Sequence, residues 1–148
     1  MKKIILLLFL VLIPGISQAA CDDPLTDGVD YTNCRFSDGQ DLQGSYLPNS
    51  NLSFGTFPES TFVRANLYES TLVGGNFEKA NFTGANMTRV DFMGSTLIEA
   101  NFQNANLMEA NFTSSNMTNA NFDGANLIGA TWTNGETCGP NSIGVCNK

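Results

Sequence analysis

The chain has 148 residues, with seven basic side chains, fourteen acidic side chains, no histidine and a formal net charge of -7. Such a surface offers no basic patch to displace counterions from phosphates, which excludes free association with nucleic acid. The length fits one domain, and the acidity favours solubility.

Residues 1–20 have the layout of a secretory signal peptide. Two lysines precede an apolar run over residues 4–13 that is too short to cross a bilayer as a helix, and residues 17–19 form a small-x-small cleavage site. We expect cleavage after Ala19 or Ala20. The mature chain would then be exported, periplasmic or secreted, and would have no membrane span.

Four cysteines follow the cleavage site: Cys21, Cys34, Cys138 and Cys146. An even number in an oxidising compartment predicts two disulfides, for which three pairings are possible. Zinc is disfavoured because the chain has neither a CxxC spacing nor a histidine. A lipid on Cys21 is the alternative to a disulfide there. Gln18, however, stands where bacterial lipoproteins favour an aliphatic residue.

Residues 21–39 form a polar entry segment rich in Asp and Gly, with turn signals at residues 27–28 and 38–39. We expect this segment to cap the open end of the body that follows, since a stacked chain exposes unpaired backbone at its ends. Residues 34–36 look like a repeat unit that is one residue out of phase. The acids of the segment do not follow the spacing of an EF-hand loop, so calcium is not predicted.

Residues 40–134 divide into nineteen consecutive five-residue units with no insertion or deletion. The middle residue of each unit, here called the centre, is Leu, Phe, Met or Trp. The residue two before it is Ala, Ser or Gly, except at Gln40 and Val90, and the residue one before it is usually Asn, Asp or Thr. A period of five fits neither an amphipathic helix nor an exposed strand. It predicts a solenoid in which the centre points inward and the small residue lets neighbouring backbone approach.

Centres that lie four units apart match in size, as residues stacked in adjacent coils should. One column is nearly all Phe and the next contains no Phe: Leu42, Phe62, Phe82, Phe102 and Phe122, then Leu47, Leu67, Met87, Leu107 and Leu127. The sequence therefore predicts a square coil of twenty residues with a Phe ladder beside a Leu ladder. Nineteen units make about 4.75 coils, and at roughly 4.8 Å per coil the rod would be about 23 Å long.

Units such as Ala80-Asn81-Phe82-Thr83-Gly84 in uninterrupted tandem resemble the pentapeptide-repeat family. The resemblance covers residues 40–134. It implies an all-β fold, a right-handed quadrilateral β-helix, with the centres and the small residues inside. Residues 135–148, a Gly/Pro loop closed by two cysteines, resemble the ending of exported members and predict a C-terminal cap.

The length of the rod selects the disulfides. Bonded cysteines need Cα atoms within roughly 7 Å, whereas the two ends would lie about 23 Å apart. The sequence thus predicts the pairs Cys21–Cys34 and Cys138–Cys146, one stapling each end.

The side of the rod that carries the Leu column is the candidate interaction face. Its predicted outward residues are Tyr46, Pro48, Tyr68, Met108 and Ile128. A contiguous apolar strip could bind a partner, although scattered surface apolar residues are also normal. The neighbouring side shows Phe54, Val73 and Met93 outward. Two columns alternate acid, base and acid, and we interpret them as structural ladders: Glu59, Lys79 and Glu99, and Glu69, Arg89 and Glu109.

The chain has no histidine and no Gly-rich phosphate loop, so the sequence indicates no enzyme, no cofactor and no metal site. It favours an exported, non-catalytic structural or protein-interaction module. The resemblance implies an alternative, an acidic DNA mimic that acts on a type II topoisomerase. The signal peptide disfavours that alternative because the enzyme is cytoplasmic.

Overall fold

The computed structural model describes residue 21, residues 27–36 and residues 38–148. The predicted signal peptide, residues 1–20, lies outside this described part. Among the described residues, no helix has the length and apolar character needed to cross a membrane. The chain there winds into stacked coils that are joined by β-bridges of one residue on each strand.

The bridges set the register of the coils. The residue before each centre pairs in parallel with the residue twenty positions further on, as Tyr46 does with Asn66 and Asn66 with Asn86. Each centre also donates its N–H to the next coil, as Leu47 does to the Asn66 carbonyl at 2.8 Å. A coil therefore contains twenty residues, the period that the matched columns predicted. We number its four sides by their first centres: Leu42, Leu47, Leu52 and Phe57.

Each unit turns a corner immediately after its centre. The N–H three residues after the centre donates to the centre's carbonyl, as Ala65 does to Phe62 at 3.0 Å. The residue two after the centre has a positive φ, for example 58° at Arg64 and 55° at Glu59. This left-handed conformation is unfavourable for residues with a Cβ. A position that tolerates many residue types in the sequence is thus constrained in its backbone.

The Asn or Asp before a centre completes the hydrogen bonding of its unit. Three of the five N–H groups donate to neighbouring coils and a fourth closes the corner. The fifth, on the residue after the centre, donates to the Asn or Asp side chain two residues earlier, as Gln103 does to Asn101 Oδ1 at 3.1 Å. Six units have Tyr or Thr at that position instead of Asn or Asp: Tyr46, Thr56, Thr61, Thr71, Thr96 and Thr131. Two of these units have a proline, Pro48 or Pro58, at the donor position, and proline has no N–H to satisfy.

The centres form the core. On the first side Phe82 stacks on Phe62 at 4.8 Å and on Phe102 at 5.1 Å between ring centroids. The Leu centres of the second side, such as Leu67 and Leu107, are fully buried beside them. The predicted Phe and Leu ladders are confirmed. Burial of each such side chain contributes roughly 1.5–3 kcal/mol.

Part of the entry segment continues the coil instead of lying across its end. Asp30 pairs in parallel with Asn51 and Arg35 with Thr56, in each case over twenty-one residues instead of twenty. The ring of Phe36 stacks on Phe57 with centroids 4.6 Å apart. The unit at residues 34–36 is therefore one residue out of phase with the rest, as the sequence suggested.

The exit segment turns back and pairs antiparallel with the last coil. Thr137 forms a bridge with Thr131, and Ile143 forms one with Asn126. These bridges lie on the third and second sides. The exit segment accordingly covers one half of the coil's end.

Both predicted disulfides are present. Cys21 is bonded to Cys34 with Cα atoms 5.5 Å apart, and Cys138 to Cys146 with Cα atoms 4.9 Å apart. A lipid thioether on Cys21 would require the same sulfur that forms the first disulfide. The two modifications therefore exclude each other.

Candidate interaction surface

The outer surface of the second side consists of three parallel rows, which we call the amide row, the apolar row and the charged row. Each row takes one residue from every coil, because stacked coils are in register. The amide row precedes the centres and contains Asn66, Asn86, Asn106 and Asn126. The apolar row follows the centres and contains Tyr68, Met108 and Ile128, interrupted by Thr88. The charged row lies at the corner and contains Glu69, Arg89 and Glu109.

Hydrogen bonds along the rod hold the amide row in place. Asn86 donates from Nδ2 to Asn66 Oδ1 at 3.2 Å, and Asn126 donates in the same way to Asn106 at 3.4 Å. Asn106 Nδ2 donates to the hydroxyl of Thr88 at 2.9 Å. These side chains are therefore ordered before any partner arrives.

The charged row is a continuous ion-pair ladder. Arg89 donates from Nε to Glu109 Oε2 at 2.7 Å and from Nη1 to Glu69 Oε1 at 3.0 Å. The hydroxyl of Tyr68 donates to the same Glu69 oxygen at 2.7 Å. The Tyr68 hydroxyl and then the Arg89 guanidinium hold the pKa of Glu69 below its usual value, and Glu69 in turn raises the pKa of Tyr68.

The other predicted ladder, on the fourth side, forms only in part. Lys79 Nζ lies 4.0 Å from a carboxylate oxygen of Glu59 and 4.0 Å from one of Glu78. Among the described residues, Glu99 has no ion pair within 4.0 Å. Lys79 therefore pairs within its own unit and with the preceding coil, not in both directions along the rod.

Four of the five residues predicted for the interaction face lie on the outer surface of the second side. Tyr46 is 60% exposed, and Tyr68, Met108 and Ile128 are half-buried. The prediction is wrong at Pro48, which is buried and does not contribute to an exposed surface. The reason is the entry coil, whose Gly28 lies above it and donates an N–H to the Pro48 carbonyl at 2.9 Å.

The third side exposes larger apolar groups than the second. Phe54 is 58% exposed and Met93 is 43% exposed, whereas Val73 between them is half-buried. The Phe54 ring lies directly over Gly74 of the next coil, where an added Cβ would come within 2.7 Å of a ring carbon. Glycine at this corner thus makes room for the aromatic ring.

Two exposed apolar residues were not predicted from the sequence. Ile143 and Val145, in the exit segment, are 53% and 58% exposed. The five-residue period ends at Asn134, so no repeat pattern distinguishes inward from outward positions beyond it.

The side chains on these surfaces are mainly carboxamides, apolar groups and ion-paired charges. Within the described ranges no cluster of three or more His, Cys, Asp or Glu side chains could hold a metal ion, and no cysteine is free. The second side offers carboxamides, the two phenols of Tyr46 and Tyr68, the apolar side chains of Met108 and Ile128, and a guanidinium between two carboxylates. Such a surface can bind through apolar contact and directed hydrogen bonds.

Comparison with known proteins identifies the repeat. The family model described as pentapeptide repeats matches residues 60–97 and 97–131, in eight copies. A search of curated proteins gives no match to this chain.

Several solved structures match part of this chain. HetL, a pentapeptide repeat protein from the cyanobacterium Nostoc sp. strain PCC 7120, is 22% identical with a TM-score of 0.40, and the match covers 70% of this chain and 46% of HetL. This chain thus spans less than half the length of HetL. Rfr23 from Cyanothece 51142 is 20% identical with a TM-score of 0.41, over 70% of this chain and 90% of Rfr23. A pentapeptide repeat protein of the Arabidopsis thaliana thylakoid lumen is 24% identical with a TM-score of 0.40, over 78% of this chain and 73% of that protein.

Proposed function

We propose that this chain, which belongs to the pentapeptide-repeat family, is an exported, non-catalytic module that binds a protein partner through its second side. The family fold is a right-handed β-helix, and we propose an all-β quadrilateral form of about 4.75 coils over residues 40–134. Residues 1–20 would be the signal peptide, residues 21–39 the entry cap and residues 135–148 the exit cap. The two disulfides support an oxidising compartment.

The observation that carries the proposal is the order of the three rows. The apolar row, with Tyr68, Met108 and Ile128, runs between hydrogen-bonded carboxamides and a fixed Glu–Arg–Glu ladder. Aromatic and Met side chains with Arg beside them are the residue types enriched at protein interfaces. Because the neighbouring polar side chains of this surface are already ordered, binding a partner would cost them little additional conformational entropy.

The ladder also bears on the DNA-mimic alternative. A mimic of duplex DNA needs unbroken rows of negative charge, spaced as phosphates are. On this side Arg89 lies between Glu69 and Glu109 and bonds to both. The charged row is thus partly neutralised, which favours a contact surface over a phosphate-like one.

The experiment that tests the proposal is site-specific photocrosslinking in the native host. A photoreactive residue replaces Tyr68 on the second side or, as the matched control, exposed Gln103 on the first side, and the chain keeps its own residues 1–20. We expect both variants in the periplasm or medium, and one protein captured from position 68 that is not captured from position 103. Adding Met108→Glu to the position 68 variant should abolish that capture.

Three results would contradict the proposal. Retention of the chain in the cytoplasm would refute export. Equal capture from both positions, or capture that is insensitive to Met108→Glu, would refute the second side as the binding surface. If this protein inhibited the supercoiling reaction of a purified type II topoisomerase, that result would support the DNA-mimic alternative instead.

A further inference from the structure

The second side is about as wide as one α-helix. Its amide row and its charged row are three residues apart along the chain, which is about 10 Å in an extended backbone. An α-helix with its side chains is about 10–12 Å in diameter. The apolar row extends from Tyr68 to Ile128 over three coil spacings, or about 14.4 Å. A single secondary-structure element lying along the rod would therefore cover this surface.

The backbone of this surface is already bonded, as the outward residues Asn86 and Thr88 illustrate. The Asn86 N–H donates to the Ala65 carbonyl at 2.9 Å, and the Asn86 carbonyl accepts from Leu67 at 2.8 Å. The Thr88 carbonyl accepts from the Glu69 N–H at 3.0 Å, and the Thr88 N–H donates to Asn86 Oδ1 at 3.3 Å. An extended partner segment would find no backbone partners here, whereas an α-helix satisfies its own backbone groups.

The apolar row has a spacing that matches one face of a helix. Tyr68 and Met108 are two coils apart, about 9.6 Å, and Tyr68 and Ile128 are three coils apart, about 14.4 Å. On an α-helix, residues i, i+7 and i+11 share a face and lie at rises of about 10.5 and 16.5 Å, so each differs by about 1–2 Å. Side chains on one face of a strand recur about every 6.6 Å, so the nearest would lie about 3 Å from the level of Met108.

The charged row favours a basic partner. Arg89 bonds one carboxylate oxygen of Glu69 and one of Glu109. Within the described ranges the other oxygen of each carboxylate accepts no hydrogen bond, and the two side chains are 39% and 52% exposed. The two carboxylates are two coils apart, about 9.6 Å, which is nearly the rise of seven helical residues. Lys or Arg at two positions seven apart along one flank of a helix would form charge-assisted hydrogen bonds with both.

The corner on the opposite flank of the second side is low and carries one charge. It consists of Gly44, Arg64, Gly84, Asn104 and Gly124. The stem of Arg64 lies over Gly84, where an added Cβ would be 3.8 Å from Arg64 Cγ. Among the residues that the structure describes, Arg64 has no ion pair within 4.0 Å. Basic residues are therefore favoured only on the flank of the helix that faces the charged row.

We propose that the partner of the second side is an amphipathic α-helix that lies along the rod. Its apolar residues pack on the apolar row, and its Lys or Arg residues face Glu69 and Glu109. Helices commonly bind other proteins through one apolar face in this way. The inference rests on the proposed function, because it specifies the partner of the same surface.

Mapping of crosslinks in the native host tests the proposal. The photoreactive residue replaces Tyr68 in one variant and Ile128 in another, both with residues 1–20 retained, and mass spectrometry identifies the partner residue that each captures. The distance of about 14.4 Å corresponds to about ten residues of a helix but about four residues of an extended segment. We expect two captured sites about ten residues apart in one segment of one protein. The variant with the photoreactive residue at exposed Gln103 is the control and should capture neither site.

Glu109→Gln, added to the position 68 variant, tests the charged row, with Glu99→Gln as its matched control. Glu99 is an exposed corner residue of the fourth side and has no ion pair within 4.0 Å in the described part of the chain. We expect Glu109→Gln to lower the yield of capture about threefold or more at low salt, and Glu99→Gln to leave it unchanged. Added salt should lower capture more in the parent variant than in Glu109→Gln, because screening weakens the charged contact.

Failure of the proposed function and failure of this inference give different results. No capture from either second-side position would refute the proposed function and this inference with it. Capture at sites about four residues apart, at sites in separate segments, or on a second copy of this chain would leave the second side as a binding surface and overturn the helix. Equal yields from the two glutamine variants would show that the charged row does not select the partner.

Discussion

Replacement of Asn101 by Ala should show how much the residue before the centre contributes to the coil. Its Oδ1 accepts hydrogen bonds from the N–H of Gln103 at 3.1 Å and from Asn121 Nδ2 at 3.2 Å, and its Nδ2 donates to the Thr83 hydroxyl at 3.1 Å. A hydrogen bond contributes roughly 0.5–1.5 kcal/mol, towards the lower end where water can replace the partner. We therefore expect Asn101→Ala to lower the free energy of unfolding by about 2 kcal/mol.

A second substitution separates the backbone bond from the other two. In Asn101→Ala the N–H of Gln103 loses its acceptor, and Gln103→Pro removes that donor. Pro48 and Pro58 show that the position accepts proline, and proline also restricts the unfolded chain, which stabilises by roughly 0.4–1 kcal/mol. In the wild-type background the same proline breaks a hydrogen bond. Its effect should thus be about 1 kcal/mol more favourable in the Asn101→Ala background than in the wild type.

Urea unfolding of the oxidised wild type, both single variants and the double variant completes the cycle. The denaturant slope should be the same for all four, which checks that one cooperative transition is being compared. If the proline changes the free energy of unfolding equally in both backgrounds, the hydrogen bond from the Gln103 N–H to Asn101 Oδ1 does not contribute to stability. The role assigned to the Asn before each centre would then be wrong.

Three further predictions concern the core, the corners and the charged row. Phe82→Ala should lower the free energy of unfolding by roughly 3–5 kcal/mol. Thr83→Ala, which loses two side-chain hydrogen bonds, should lower it by about 1 kcal/mol. Equal losses in urea unfolding would contradict the assignment of Phe82 as an inward residue and Thr83 as an outward one. Glu99→Gly should raise the melting temperature, because φ is 56° there and glycine removes a cost of roughly 1 kcal/mol; a lower value would argue against a strained corner. Tyr68→Phe should raise the pKa of Glu69 in a carboxyl NMR titration, because the phenol is the first cause of its depression. A carboxyl group whose pKa is lowered by folding stabilises the fold at pH values above its ordinary pKa, and this contribution is lost as the pH falls through the lowered pKa. An unchanged Glu69 pKa in the variant would show that the phenol is not the cause.

The sequence predicted the interior because the interior repeats. Residues that stack in adjacent coils must match in size, so the Phe and Leu columns of the sequence predict the coil period. The same period fixed the ends of the rod far apart, and distance alone then selected both disulfides. The sequence also predicted that the unit at residues 34–36 is one residue out of phase with the regular repeat, as its pairing over twenty-one residues shows.

The outside was less predictable, because exposure depends on neighbours that the pattern does not encode. Pro48 occupies an outward position in its unit but is covered by Gly28, which belongs to a coil outside the regular repeat. The corner at Arg64 tolerates many residue types in the sequence, although its backbone is held at positive φ. Ile143 and the rest of the exit segment have no period at all, so their half-coverage of the last coil follows from pairing geometry alone.

The twenty-residue register also restricts how the length of such a protein can change. Loss of a whole coil shortens the rod by roughly 4.8 Å and leaves every later residue on its original side. Loss of a single five-residue unit after Glu69 would rotate everything downstream by a quarter turn. Arg89 would then move to another side, away from Glu69, and the exit segment would close a different half of the end. Insertions and deletions that preserve the surfaces of this molecule must therefore come in multiples of twenty residues.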